Sequence, residues 1–173
     1  ASDVYKRQVQ LEEVVFLIGQ DPWHLLEDFG DLIGEKYRIR PLEKPPVSWC
    51  SWYPFRLGVT EEHLLANAKT AAHRLKRLGL ENLQVDLGWE KGHLPSAYEE
   101  NEQFPHGLRW LSEELRKMGF NLGVWKAPFT ISEFDPLSQQ HPEWLLGDEK
   151  EKPKPYWTWF WEPHGKVYAL DLT

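Results

Sequence analysis

A chain of 173 residues suits one ordinary domain. Its net charge of −7, without any basic block, argues against a phosphate backbone as partner. No apolar stretch approaches the roughly 18 residues needed to span a bilayer, and a single cysteine, Cys50, excludes an internal disulfide.

The first eight residues, "ASDVYKRQ", resemble the in-frame translation of a transposon-type sequencing adapter and are set aside as a scar. "VQLEEVVFLIG" (9–19) then reads as a strand. "DPWHLLEDFGDLIGEKYRI" (21–39) reads as a helix, with Asp21 as cap, Pro22 at the first helical position and apolar residues at helical spacing. "RPLEKPP" (40–46) is a linker.

From Pro46 the pattern alternates. "VSWCSWY" (47–53) is strand-like. The helix over 59–79 has Thr60 as cap, Glu61 and Glu62 at its positive end, and Leu64, Ala68, Ala71, Leu75 and Leu78 as its inward stripe. "NLQVDLGW" (82–89) is a strand, 106–119 a helix with Leu108, Leu111, Leu115 and Met118 inward, and "NLGVWKAPF" (121–129) a third strand. Strand starts recur about every 35 to 40 residues, as in successive βα units of a parallel sheet. No Gly-rich phosphate loop follows any of them, so a (β/α)8 barrel fits better than a doubly wound sheet. Residues 132–163, rich in Pro and Trp, read as a long βα excursion over the catalytic face.

The chemistry-bearing residues gather where such a barrel has its mouth. Trp52, Tyr53, Asp86, Trp125 and Lys126 fall at the carboxyl ends of the expected strands. Tryptophan occurs 10 times in the chain. Core filling accounts for about half of these, since indole is a large apolar group. Trp49, Trp52, Trp89 and Trp125, however, lie in or just after the expected strands. An indole face with one N–H suits a pyranose, which shows a C–H face and a hydroxyl edge. Lys126 reads as a solvated rim lysine, and Cys50 points opposite to Trp49 and away from any catalytic use. "EEHLL" reads as a solvated helix face. The seven histidines show no metal spacing, and no cofactor is implied.

Six stretches resemble glycoside hydrolase family 36, the melibiase-type alpha-galactosidases and raffinose synthases. They are "SWCSWY" (48–53), "LQVDLGW" (83–89), "FPHGL" (104–108), "GVWKAPF" (123–129), "HPEWLL" (141–146) and "LDLT" (170–173), in family order. The resemblance implies an α/β fold: the first three βα units of a (β/α)8 barrel over 46–173, preceded over 9–45 by the end of a β-rich domain and a linking helix. It implies Trp52 and Trp125 as walls of the galactosyl pocket and Asp86 as acceptor for ring hydroxyls. Trp49, Tyr53, Leu87 and Trp89 become pocket support. The implied partner is an alpha-galactoside oligosaccharide or glycoconjugate, with no nucleic acid or membrane, and the full-length protein is a possible homo-oligomer.

Two departures qualify this. Leu87 stands where the family usually has a second aspartate, which removes one charged acceptor if that side chain faces the sugar. Retaining glycosidases also use two carboxylates about 5–5.5 Å apart. The resemblance implies that both lie on strands beyond Thr173, so this chain is expected to be an environmental gene fragment holding no catalytic residue and inactive alone. The alternatives are a sugar-binding barrel that has lost catalysis and a galactosyl transferase of the raffinose synthase type.

Overall fold

The computed structural model describes residues 13–148, 153–159 and 161–172. The chain divides into two compact units, Ala1–Pro45 and Pro46–Thr173. In the first, helix α1 (Pro22–Lys36) starts as its sequence expects: Trp23 N donates to Asp21 Oδ1 at 2.9 Å, and Pro22 opens the helix. None of its residues is buried. The strand expected over 9–19 is corrected. Residues 13–19 take no strand conformation, because among the described residues nothing pairs with them, and an extended segment becomes a strand only by pairing. Residues 9–12 of that strand, and the eight-residue scar, lie outside the described residues.

The second unit is mixed α/β. Strands β1 (Ser48–Cys50), β2 (Asn82–Val85) and β3 (Asn121–Val124) form a parallel sheet with β2 in the middle. The register pairs Cys50 with Gln84 and Val85 with Val124. Helix α3 (Glu61–Arg74) connects β1 to β2, and α4 (Gly107–Lys117) connects β2 to β3. The short α2 (Trp52–Phe55) directly follows β1. Trp52 and Tyr53 therefore belong to a helical turn and not, as expected, to the strand.

Alternation along β2 places the core. Leu83 and Val85 are fully buried against Leu64, Ala68, Leu111 and Leu115 of the two helices. Each such aliphatic side chain contributes about 1.5–3 kcal/mol on burial. Gln84 and Asp86 have the opposite parity and face away from the helices. In α3 the cap is as expected, His63 N donating to Thr60 Oγ1 at 3.1 Å. Leu75 and Leu78 leave the inward stripe and are exposed. The α-helix stops at Arg74, so the 3.6-residue period no longer carries them to the core.

Residues 132–163 are not a plain loop excursion. Strands β4 (Thr130–Ser132), β5 (Pro155–Trp159) and β6 (Gly165–Ala169) make an antiparallel sheet in the order β4-β6-β5, with helix α5 (Pro136–Gln140) capped by Asp135 between them. The aromatic and β-branched run Tyr156-Trp157-Thr158-Trp159 suits a strand, and β6 supplies its partner. Among the described residues no helix is long and apolar enough to cross a membrane.

One glycine ties two turns together. Gly88 has φ +123°, and a Cβ there would lie 2.9 Å from Leu57 Cα and 3.1 Å from Arg56 O. Gly88→Ala should therefore lose about 1–3 kcal/mol in urea unfolding from backbone strain alone. Gly92, at φ +65° with only the Leu94 side chain nearby, should accept Asn with little loss.

Candidate sugar-binding site

Asp86 follows the last paired residue of the central strand, and its carboxylate is held from three sides. Leu87 N donates to Oδ1 at 2.8 Å, while Gln84 Nε2 and Cys50 Sγ each donate to Oδ2 at 3.2 Å. Its own amide donates to Ser51 Oγ at 2.9 Å, and Ser51 is fully buried. A carboxylate's two oxygens offer about four lone-pair sites, and the protein takes three of them. Cys50 does lie opposite Trp49, as expected, on the face shared with Gln84 and Asp86. Burial, and then the Asp86 charge, push its thiol up. It stays protonated and donates.

Trp125 is set beside Asp86 by the same ladder. Its amide donates to Val85 O at 2.9 Å, which carries the β2–β3 register one step further. Matching parity puts Trp125 and Asp86 on the face away from the helices. Trp52 lies two residues beyond β1, at the same carboxyl edge. Its ring meets Trp161 edge-on, with centroids 5.1 Å apart at 86°, and the Arg56 guanidinium lies 5.9 Å and 5.5 Å over the two rings. Trp161 and Arg56 were not singled out by the sequence, because only the second sheet returns Trp161 to this edge.

The supporting residues separate. Trp49 packs on the core and meets Phe55 edge-on at 6.3 Å. Trp89 is a core residue whose Nε1 donates to Trp125 O at 3.2 Å. Tyr53 is 87% exposed, and Leu87 is 2% exposed.

One charged residue, Glu90, was missed, and a second, Lys126, was misread. Glu90 is fully buried. Its Oε2 accepts from Gly88 N at 3.0 Å, while Oε1 has no hydrogen-bond partner and lies 3.9 Å from Lys126 Nζ. Lys126 is not a solvated rim lysine: its side chain is 15% exposed. Its ammonium sits 4.8 Å from the Trp89 ring and 4.5 Å from Tyr98, and donates to Ala97 O. Burial pushes Glu90 up to about 7, against partial relief from backbone amides and Lys126, and the Asp86 charge raises it further. Burial also holds the Lys126 ammonium below its usual range. The available signal was a Trp-Glu and a Trp-Lys dipeptide, 89–90 and 125–126, each following a strand end.

The "EEHLL" segment also needs correction. Glu61 is buried; His106 N donates to Glu61 Oε2 at 3.2 Å, and His106 Nδ1 lies 2.6 Å from Oε1, tying α3 to the start of α4. Among the described residues no three His, Cys, Asp or Glu side chains gather as a metal site.

A sequence model of the melibiase family matches residues 29–156, well over half of the chain. The chain belongs to the melibiase family. It is similar to an alpha-galactosidase from Escherichia coli, 27% identical over 107 residues covering 58% of this chain and 14% of that protein. Alpha-galactosidase 2 of Pediococcus pentosaceus is 30% identical over 120 residues, 64% of this chain and 16% of that one. Among solved structures, an alpha-galactosidase from Thermus thermophilus in complex with p-nitrophenyl alpha-D-galactopyranoside superposes with a TM-score of 0.66. It is 34% identical and covers 76% of this chain and 26% of its own. The family 36 alpha-galactosidase AgaA of Geobacillus stearothermophilus shares the fold, with a TM-score of 0.60 at 24% identity. This melibiase chain thus spans about a seventh of the curated relatives' length.

Glu90 makes stability depend on pH. Its folded value is raised from 4.5 to about 7, so between these values the folded state holds more protons than the unfolded one. The contribution of Glu90 to stability is therefore full below about pH 4.5 and is lost as pH rises toward and through about 7. Urea titrations at pH 5 and pH 8 should show Glu90→Gln removing about 1–3 kcal/mol of this decline.

Proposed function

We propose that this chain supplies the sugar-binding edge of a retaining alpha-galactosidase, a glycoside hydrolase that cleaves terminal alpha-galactosyl residues. The observation that carries the reading is Asp86. In a melibiase chain, it stands at the carboxyl edge of a parallel sheet, on the face shared with Trp125. Three neutral donors hold its carboxylate, and it keeps acceptor capacity for a sugar hydroxyl.

Three parallel strands with helical crossovers agree with the opening βα units of a (β/α)8 barrel, whose active sites form at the carboxyl ends of the strands. On this reading residues 46–173 belong to the barrel and 9–45 precede it. Asp86 binds the galactosyl ring by charge-assisted hydrogen bonds. Trp52 and Trp125 offer indole faces to its C–H surface. Tyr53 reaches solvent at the rim, while Trp49 and Trp89 brace the walls from the core. Leu87, buried beneath the turn, offers no second carboxylate, so Asp86 is the main anionic acceptor. That places more of the galactose selectivity on the indole walls.

Cleavage follows double displacement: a carboxylate attacks the anomeric carbon, the leaving oxygen takes a proton from a carboxylic acid, and water then releases the sugar. We assign both of these groups to segments of the enzyme other than this chain. The substrate is an alpha-galactoside oligosaccharide or glycoconjugate.

The test is kinetic and uses the complete enzyme. Asp86→Ala should lower kcat/KM on p-nitrophenyl alpha-galactoside by about 2–4 kcal/mol, roughly 30- to 1000-fold. A variant that folds and keeps its kcat/KM within threefold would end the assignment of Asp86.

A further inference from the structure

Three contacts join the turn after β2 to the end of β3, and Glu90 and Asn101 brace the turn itself. Glu90 Oε2 accepts from Gly88 N, which fixes the turn that begins at Asp86. Glu90 Oε1 faces Lys126 Nζ at 3.9 Å. Trp89 Nε1 donates to Trp125 O at 3.2 Å, and the Lys126 ammonium rests on the Trp89 ring at 4.8 Å. Asn101 Nδ2 closes the turn from outside, donating to Gly88 O at 2.7 Å and more weakly to Glu90 O at 3.3 Å.

A carboxylate with no solvent exposure is costly in a fold, and an oxygen without a hydrogen bond more so. Part of that cost is offset by the Gly88 amide and by the Lys126 ammonium, just beyond the end of β3. Glu90 cannot touch substrate, because it is fully buried. What it can do is hold the two strand ends at a set separation.

Resting on the reading of Asp86 and Trp125 as sugar-binding residues, we propose that Glu90 and Lys126 are a positioning pair for the galactoside site: charged, they clamp the Asp86 turn to the Trp125 strand end, and protonation of Glu90 releases the clamp. The pair thereby sets a lower pH limit for sugar binding. The charged groups acting on it are Asp86 from the end of β2, which raises Glu90, and Asp135 ahead of α5, which favours the Lys126 ammonium.

The experiment measures competitive inhibition of the complete enzyme by free galactose, an uncharged ligand that undergoes no chemistry, between pH 5.5 and 8.5. For the wild type, Ki should rise about five- to tenfold as pH falls through 7. Glu90→Gln and Lys126→Met should each show a Ki about five- to tenfold above wild type at pH 8, with no bend near 7. Lys126→Arg, which keeps the charge, should restore the pH 8 value to within threefold. A flat wild-type profile overturns the proposal without any variant. So does a wild-type bend that persists in Glu90→Gln, or variants that lose melting temperature while Ki and its pH dependence stay unchanged. Asp86→Ala separates the two readings. If it abolishes galactose inhibition while Glu90→Gln behaves as wild type, only the pair fails; if it leaves inhibition intact, the site assignment itself fails.

Discussion

The parallel pairing of β2 with strands on both sides is the constraint from which the rest of the second unit follows. With Leu83 and Val85 buried against α3 and α4, alternate residues must face the other way. Gln84 and Asp86 therefore share a face with Cys50 across one ladder and with Trp125 across the other. A one-residue slip of β2 would bury Asp86 under the helices and expose two aliphatic side chains. The apolar core and the candidate site are two faces of the same register.

That register also brings hydrogen-bond donors to a carboxylate that is half-buried. Its three donors come from the turn that follows it, from its own strand and from β1. None carries a formal charge, so Asp86 is stabilised by hydrogen bonds without being neutralised by a cation. The ammonium that does lie nearby, Lys126, faces Glu90 instead. Two carboxylates close to one edge thus have different surroundings: Asp86 accepts from three neutral donors, while burial raises Glu90 to about 7. Environment, more than residue type, divides their roles.

The turn between them is short and crowded. Gly88 admits no side chain, because Leu57 and Arg56 press against it from the turn after β1. Arg56 in turn lies over the Trp52 and Trp161 rings. Close packing is concentrated where three strand ends, one glycine and several indoles converge.

The sequence by itself determined the βα repeats, the caps at Asp21 and Thr60, the placement of Asp86 at a strand end and the family. Each is encoded locally, in a period of 2 or 3.6 residues, in one capping side chain, or in short motifs in order. Only the tertiary structure decided that Glu90 is buried and faces Lys126, that Glu61 meets His106, and that Trp161 returns to Trp52. It also decided that residues 132–163 contribute strands of an antiparallel sheet, since a strand is defined by its partner. These features join residues dozens of positions apart. A charge on a helix or turn reads as solvated unless the segment that will cover it is known. Burial is a property of everything packed around a side chain, and no local pattern carries it.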